Sequence, residues 1–212
     1  MRNPGRLSLL LVLVIVAMFD TYAMHGHKRR RVDQDVLSRK LSEAISVGNV
    51  DKLRRVLADG ADVDCCCWSW RRKPLHHAMI CGADTSIVQL LIDIGADIHA
   101  RDSAGRPPLH YAAWWSTHLK SAEALLAAGA DPNVCDLWGQ NSLHMAAWGV
   151  HDELLCMLID AGADSEARDT RGQTPVESGA CRGSTIGTRM LRALLVLGGG
   201  LAKEKPHPSC GW

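Results

Sequence analysis

The sequence predicts an all-α solenoid of about five stacked helix–turn–helix units with hairpin loops projecting from the stack. Two observations carry this expectation. The stretch from Gly129 to Trp148, GADPNVCDLWGQNSLHMAAW, has a close copy from Gly95 (GADIHARDSAGRPPLHYAAW) and degraded copies from Gly60 and Gly162. The phase is also kept: the glycines at 60, 95, 129 and 162 are 35, 34 and 33 residues apart, and the histidines at 76, 110 and 144 are 34 and 34 apart. A period of this size marks units that bury their apolar faces only against their neighbours.

Composition narrows the function classes. With 24 basic and 23 acidic residues in 212, the chain has no global field that would favour nucleic acid or a membrane surface. Aromatic usage is lopsided, with seven Trp against two Tyr and one Phe, so the places where the tryptophans fall carry information. The cysteine count of eight is even and compatible with an oxidising compartment.

Residues 1–23 read as a signal peptide or membrane anchor. Arg2 and Arg6 form a basic start, Leu7 to Phe19 is an apolar core of 13 residues, and Thr21-Tyr22-Ala23 offers small residues for cleavage after Ala23. The apolar run is short of the roughly 20 residues that span a bilayer, which favours export to a periplasmic or secreted location. The alternative is a single-pass membrane anchor, with residues 7–19 as tether and Lys28 to Arg31 as its cytoplasmic flank. Residues 24–35 read as a basic linker.

The periodic region starts at Val36. Val36, Leu37, Leu41, Ala44, Ile45 and Val47 share one helical face, Gly48-Asn49 turns, and Val50, Leu53, Val56 and Leu57 form a second face before Gly60. Lys73-Pro74-Leu75-His76, Pro107-Pro108-Leu109-His110 and Asn141-Ser142-Leu143-His144 recur in phase, and Gly-Ala-Asp closes each of the first four units. In these motifs the chain resembles the ankyrin repeats, whose units open on Thr-Pro-Leu-His-x-Ala-Ala.

The resemblance covers residues 36–200, divided as 36–64, 65–100, 101–134, 135–167 and 168–200, with 201–212 a flexible tail. Proline at a first helical turn forfeits no hydrogen bond, because that N–H has no intrahelical partner. Ala112-Ala113 and Ala146-Ala147 are small where helices approach closely. Leu90-Leu91, Leu125-Leu126 and Leu155-Met157-Leu158 supply second-helix core, and the following glycines suit a left-handed helix end. Asp102, Asp136 and Asp169, each three residues before a Gly, fit a hairpin turn. The fifth unit opens on Thr174-Pro175-Val176-Glu177, with Glu177 in place of His, and Met190 to Leu197 would be its last helix.

No catalytic constellation is visible: there is no Ser-His-Asp order, phosphate loop, HExxH or paired carboxylate. The repeated histidines occupy one structural slot and are expected to hydrogen-bond within the turn. Cys65-Cys66-Cys67 lacks the C-x-x-C spacing of a zinc site, so no metal or cofactor is expected. Equivalent positions in stacked units lie about 10 Å apart, beyond the roughly 7 Å a disulfide allows between Cα atoms, so no disulfide framework is readable.

The resemblance implies that hairpin tips and first-helix ends form a concave partner-binding surface. Trp68, Trp70, Arg106, Trp138, Gln140 and Arg171 fall on tips, and Trp114, Trp115, Trp148 and Arg182 on first-helix ends. Trp and Arg are enriched among interface hot spots. The expected function is therefore a non-enzymatic scaffold or adaptor whose partner is another protein. A cysteine-rich structural or redox-protective protein of the cell envelope is the alternative. Between Asp64 and Lys73, CCCWSWRR replaces the usual Ala-x-Asp-x-x-Gly-x hairpin and is one residue longer.

Overall fold

A computed structural model describes residues 34–66, 69–115, 119–148 and 152–180. The leader, the linker before Gln34, Trp68, Arg182, the helix expected over 190–197 and the tail lie outside the described residues. The helices are α1 (34–47), α2 (Val50–Ala58), α3 (Pro74–Cys81), α4 (Thr85–Asp93), α5 (Pro108–Trp114), α6 (Leu119–Ala127), α7 (Ser142–Trp148), α8 (Asp152–Asp160) and α9 (Pro175–Ala180). They stack in two rows. First helices α3, α5, α7 and α9 pack in succession, as do second helices α2, α4, α6 and α8. Helix α1 joins the first row through Ser42 and Ser46, whose hydroxyls lie 3.3 and 3.0 Å from Nε2 of His77.

The apolar periodicity becomes one continuous core. Leu41, Ile45, Leu53, Leu75, Met79, Ile87, Leu91, Leu109, Leu125, Leu143, Leu155 and Leu158 belong to it and are inaccessible or nearly so. Ala112, Ala113, Ala146 and Ala147 are buried where α5 and α7 meet, so any larger side chain would hold the helices apart. Each second helix ends the same way. In the last of them Gly162 turns left-handed (φ 85°) and the Ala163 N–H reaches back 2.9 Å to the Leu158 carbonyl, satisfying an otherwise orphaned acceptor.

One boundary differs from the sequence expectation. Gln34 and Asp35, assigned to the linker, are already helical. The Gln34 amide donates 3.0 Å to the Gly60 carbonyl, so it stitches the start of α1 to the turn after α2. A long polar residue can do structural work that an apolar periodicity does not reveal.

The projecting loops are tight turns rather than strand pairs; among the described residues there is no strand. In each, an aspartate organises the backbone. Asp102 Oδ1 accepts from the N–H groups of Ala104 (2.8 Å) and Arg106 (2.9 Å), Asp136 Oδ1 from Trp138 and Gln140 (2.9 and 3.0 Å), and Asp169 Oδ1 from Arg171 and Gln173 (both 2.9 Å). Neighbouring tips then join by single backbone bonds: Ser103 donates to Trp70 O, Leu137 to Ala104 O and Thr170 to Trp138 O, at 2.8–3.0 Å. One bond per step is too few for a ladder, which is why the β-hairpin expectation resolves into turns.

The repeated histidines couple each unit to the next. His76, His110 and His144 are buried, and their Nε2 atoms lie 3.0, 2.8 and 3.1 Å from the carbonyls of Arg106, Gln140 and Gln173. Their Nδ1 atoms face the backbone three residues earlier, where the Lys73 and Asn141 N–H groups donate at 3.1 and 3.2 Å. Glu177 keeps this local bond in the fifth unit, accepting from the Thr174 N–H at 2.8 Å. At His110 the equivalent residue is Pro107, which has no N–H, and His110 Nδ1 is a buried acceptor with no partner.

The first tip departs from the pattern in backbone as well as in sequence. Arg71 takes the slot that Gly105, Gly139 and Gly172 fill in later tips, and its φ is 54° where theirs are 76°, 72° and 76°. Trp70 beside it is also left-handed, at φ 71°. Such conformations cost a side-chain-bearing residue about 1–2 kcal/mol each.

Three measurements follow. Pro107→Thr restores a donor to His110 and is expected to raise the denaturation free energy by about 1 kcal/mol, the lost proline rigidity offsetting part of the gain. Arg71→Gly should raise it by about 1 kcal/mol in the same assay. Burial holds His110 well below its ordinary value, at about 4, although the Gln140 carbonyl opposes the shift. Its contribution is therefore complete above the unfolded value of 6.5 and is lost as pH falls toward 4. Denaturant titrations at pH 7.5 and pH 4.5 should differ by on the order of 3 kcal/mol from His110, with buried His76 and His144 shifted in the same direction.

A candidate partner-binding surface

The turns and the ends of the first helices present aromatic rings along one edge of the stack. At its centre lies Arg106, in the residue slot preceding the helix-opening motif. Its Nε donates to Asp136 Oδ2 at 3.1 Å, and its guanidinium carbon is 4.8 Å from the Trp138 ring centre and 5.7 Å from that of Trp114. A planar cation between two indole faces gains from both ring quadrupoles, on the order of 0.5–1 kcal/mol per contact at this exposure. Trp114 in turn meets Trp148 edge-on, with centroids 5.1 Å apart and planes at 82°. The Trp148 indole N–H donates 2.9 Å to Ser178 Oγ on α9. Three consecutive units are thus linked by one chain of rings, cation and hydroxyl.

A related arrangement lies one unit earlier. Arg72 sits 5.2 Å over the Tyr111 ring and its Nε is 3.3 Å from the phenol oxygen, while the Tyr111 hydroxyl donates 2.5 Å to Asp102 Oδ2. Burial, reinforced by the Asp102 bond, pushes the Tyr111 phenol above its ordinary value. The second oxygen of each turn aspartate therefore receives a side chain, Tyr111 of the same unit for Asp102, and from the unit before, Arg106 for Asp136 and Gln140 for Asp169 at 3.5 Å.

This geometry sorts the residues expected on the surface. Trp70, Trp115 and Trp138 are 61%, 50% and 46% exposed. Arg171 is exposed at the last described tip. Trp114 and Trp148 are half-buried and pack on each other, so they form the base of the surface rather than its contact points. Arg106 is held between rings and a carboxylate with its side chain 20% exposed, as an internal clamp rather than a polar rim. Gln140 was misplaced by the sequence reading: it is only 2% exposed, because its amide turns inward to Asp169 while its backbone closes the turn. Trp68 and Arg182 lie outside the described residues.

Three contributors lay outside the expected set. Leu137, next to Trp138, is the most exposed large apolar residue among the described residues of the tips, at 64%. Tyr111 and Arg72 extend the ring–cation pattern; the in-phase match of Arg72 with Arg106 was the signal that could have found them. Elsewhere, Cys81 Sγ lies 3.3 Å from His77 Nε2 at the exposed end of α3. Burial lowers the His77 imidazole below its ordinary value. Cys66 and Cys81 carry free thiols, and Cys135 is disulfide-bonded. Among the described residues no three His, Cys, Asp or Glu side chains are placed to hold a metal ion, and no helix is long and apolar enough to cross a membrane.

Comparison with known proteins agrees with this architecture. A family model for ankyrin repeats in three copies matches residues 41–136, and one for ankyrin repeats in many copies matches residues 125–177. The mouse 2-5A-dependent ribonuclease is 36% identical over 80 residues, which cover 38% of this chain and 10% of that protein. The chain thus spans a small part of that relative. Together with the in-phase helix pairs, turn aspartates and inter-unit histidines, these matches show that the chain belongs to the ankyrin-repeat family.

Proposed function

We propose that this chain is a binding scaffold that engages a partner protein through the concave, tryptophan-rich edge formed by its tips and first-helix ends. Ankyrin repeats in general support protein interaction rather than catalysis, and the finer reading rests on one observation. Trp70, Trp115, Leu137 and Trp138 are large apolar side chains left in solvent above a base that is already packed. Clustered exposed apolar surface marks interaction sites. Indoles whose neighbours are fixed beforehand lose little freedom on binding, so more of the contact energy appears as affinity. We further propose that residues 1–23 direct export, with tethering through residues 7–19 as the alternative; N-terminal sequencing of the mature protein decides between them.

The surface reading separates two kinds of tryptophan. Trp115→Ala with Trp138→Ala should leave the unfolding midpoint close to that of the parent while abolishing affinity capture of the partner by the intact chain. Trp148→Ala should instead lower stability by about 2 kcal/mol, since it removes an edge-on ring contact and a buried-end hydrogen bond. Unchanged capture by the folded double variant would sink the proposal.

A further inference from the structure

We propose that the occupant of this edge is an extended acidic segment of a partner protein, with carboxylates near both ends and apolar side chains between them. The inference rests on reading the tips as the contact surface and adds the chemistry of what they contact.

Charge divides unevenly across the repeats. The turn arms carry Arg71, Arg72, Arg101, Arg106, Arg168 and Arg171, and the acidic residues of those arms, Asp102, Asp136 and Asp169, are buried and consumed by the turns. The exposed carboxylates Asp59, Asp62, Asp93, Asp97, Asp160, Asp164 and Glu166 stand at the ends of the second helices or just after them, before the turn tips, and Asp97 lies 3.8 Å from Lys73. Most of the arginines are committed. Arg106 pairs with Asp136, Arg168 lies 3.8 Å from Glu177, Arg101 donates to the Gly105 and Cys135 carbonyls, and Arg72 covers Tyr111. Arg71 and Arg171 are exposed, and among the described residues neither has a carboxylate within ion-pair distance.

These two cations bracket the apolar residues. Arg71 is on the first of four successive tips and Arg171 on the last, with Trp70, Leu137 and Trp138 on the tips they enclose. Three unit steps at about 10 Å each separate the cations by about 30 Å. An extended chain covers that span in about nine residues. Acidic groups on such a segment would meet Arg71 and Arg171 while side chains between them reach the tip tryptophans and Leu137. Nucleic acid fits less well, because a phosphate backbone carries charge along its whole length and needs cations to match. Here the middle of the edge offers Leu137 and a guanidinium already neutralised by Asp136.

The test is selection of a random dodecapeptide display library on the intact chain, on Arg71→Glu/Arg171→Glu, and on Trp70→Ala/Trp138→Ala, each first shown to melt as a folded protein. All four positions are exposed, so the variants should fold. Peptides enriched on the parent should carry Asp or Glu near both ends with aromatic or aliphatic residues between. Their affinity should fall by about tenfold or more on the charge-reversed variant, which should enrich Lys- or Arg-ended peptides instead. Enrichment that needs Trp70 and Trp138 but ignores charge reversal overturns the acidic segment and leaves the contact surface standing. Enrichment indifferent to the tryptophans overturns both. An oligo-dT of matching length that binds more tightly than every selected peptide, with the same arginine dependence, identifies a polyanion site and also overturns the proposal.

Discussion

From the second unit onward, each joint in the described stack depends on an imidazole that leaves its own unit. His76, His110 and His144 each reach the carbonyl of a residue about thirty positions ahead. That carbonyl belongs to the turn which a buried aspartate has already closed. A unit folded alone would leave the histidine without its acceptor and the core leucines in water. The interaction thus makes neighbouring units conditional on one another, and the apolar core supplies the energy that the hydrogen bonds direct. Burial lowers the affinity of these imidazoles for a second proton, which at His76 and His144 would also displace the N–H groups that Nδ1 accepts.

The surface borrows from the same device. The slot preceding the helix-opening motif gives its carbonyl to the histidine and its side chain to the next turn aspartate, as Arg106 and Gln140 do. At Arg106 the aspartate holds one edge of the guanidinium and leaves its flat faces to Trp114 and Trp138. At Gln140 the side chain disappears into the fold. The identity of the residue here thus separates the stacked platform at Arg106 from the plain joint at Gln140. This explains why the exposed tryptophans stand on a prepared base.

Period, phase and the identity of the repeating residues made the scaffold legible from sequence, because each is read several times over in one chain. Glycines at helix ends, alanines at the α5–α7 contact and turn aspartates all occupy their expected places. What varied between units was harder to read. Gln140 shares a slot with Arg106, and only packing tells that one is hidden and the other clamped between rings. Gln34 carries no apolar signal, so its capture by the Gly60 carbonyl was invisible. The orphaned nitrogen of His110 was implicit in Pro107, yet it became meaningful only once the Lys73 and Asn141 bonds displayed what the proline had removed.

The distribution of the exposed rings has a consequence for cooperativity. Trp70 lies in the second unit, Trp115 in the third and Trp138 in the fourth, and each unit otherwise answers only to its neighbours. In a one-dimensional array of this kind the ends can melt while the middle persists. A ligand lying along the edge would bridge units that have no contact of their own, acting as a splint across several joints at once. Occupancy would then turn a sequence of local openings into a single event, and resistance of the bound array to stepwise unravelling would be set by the length of the ligand rather than by any one joint.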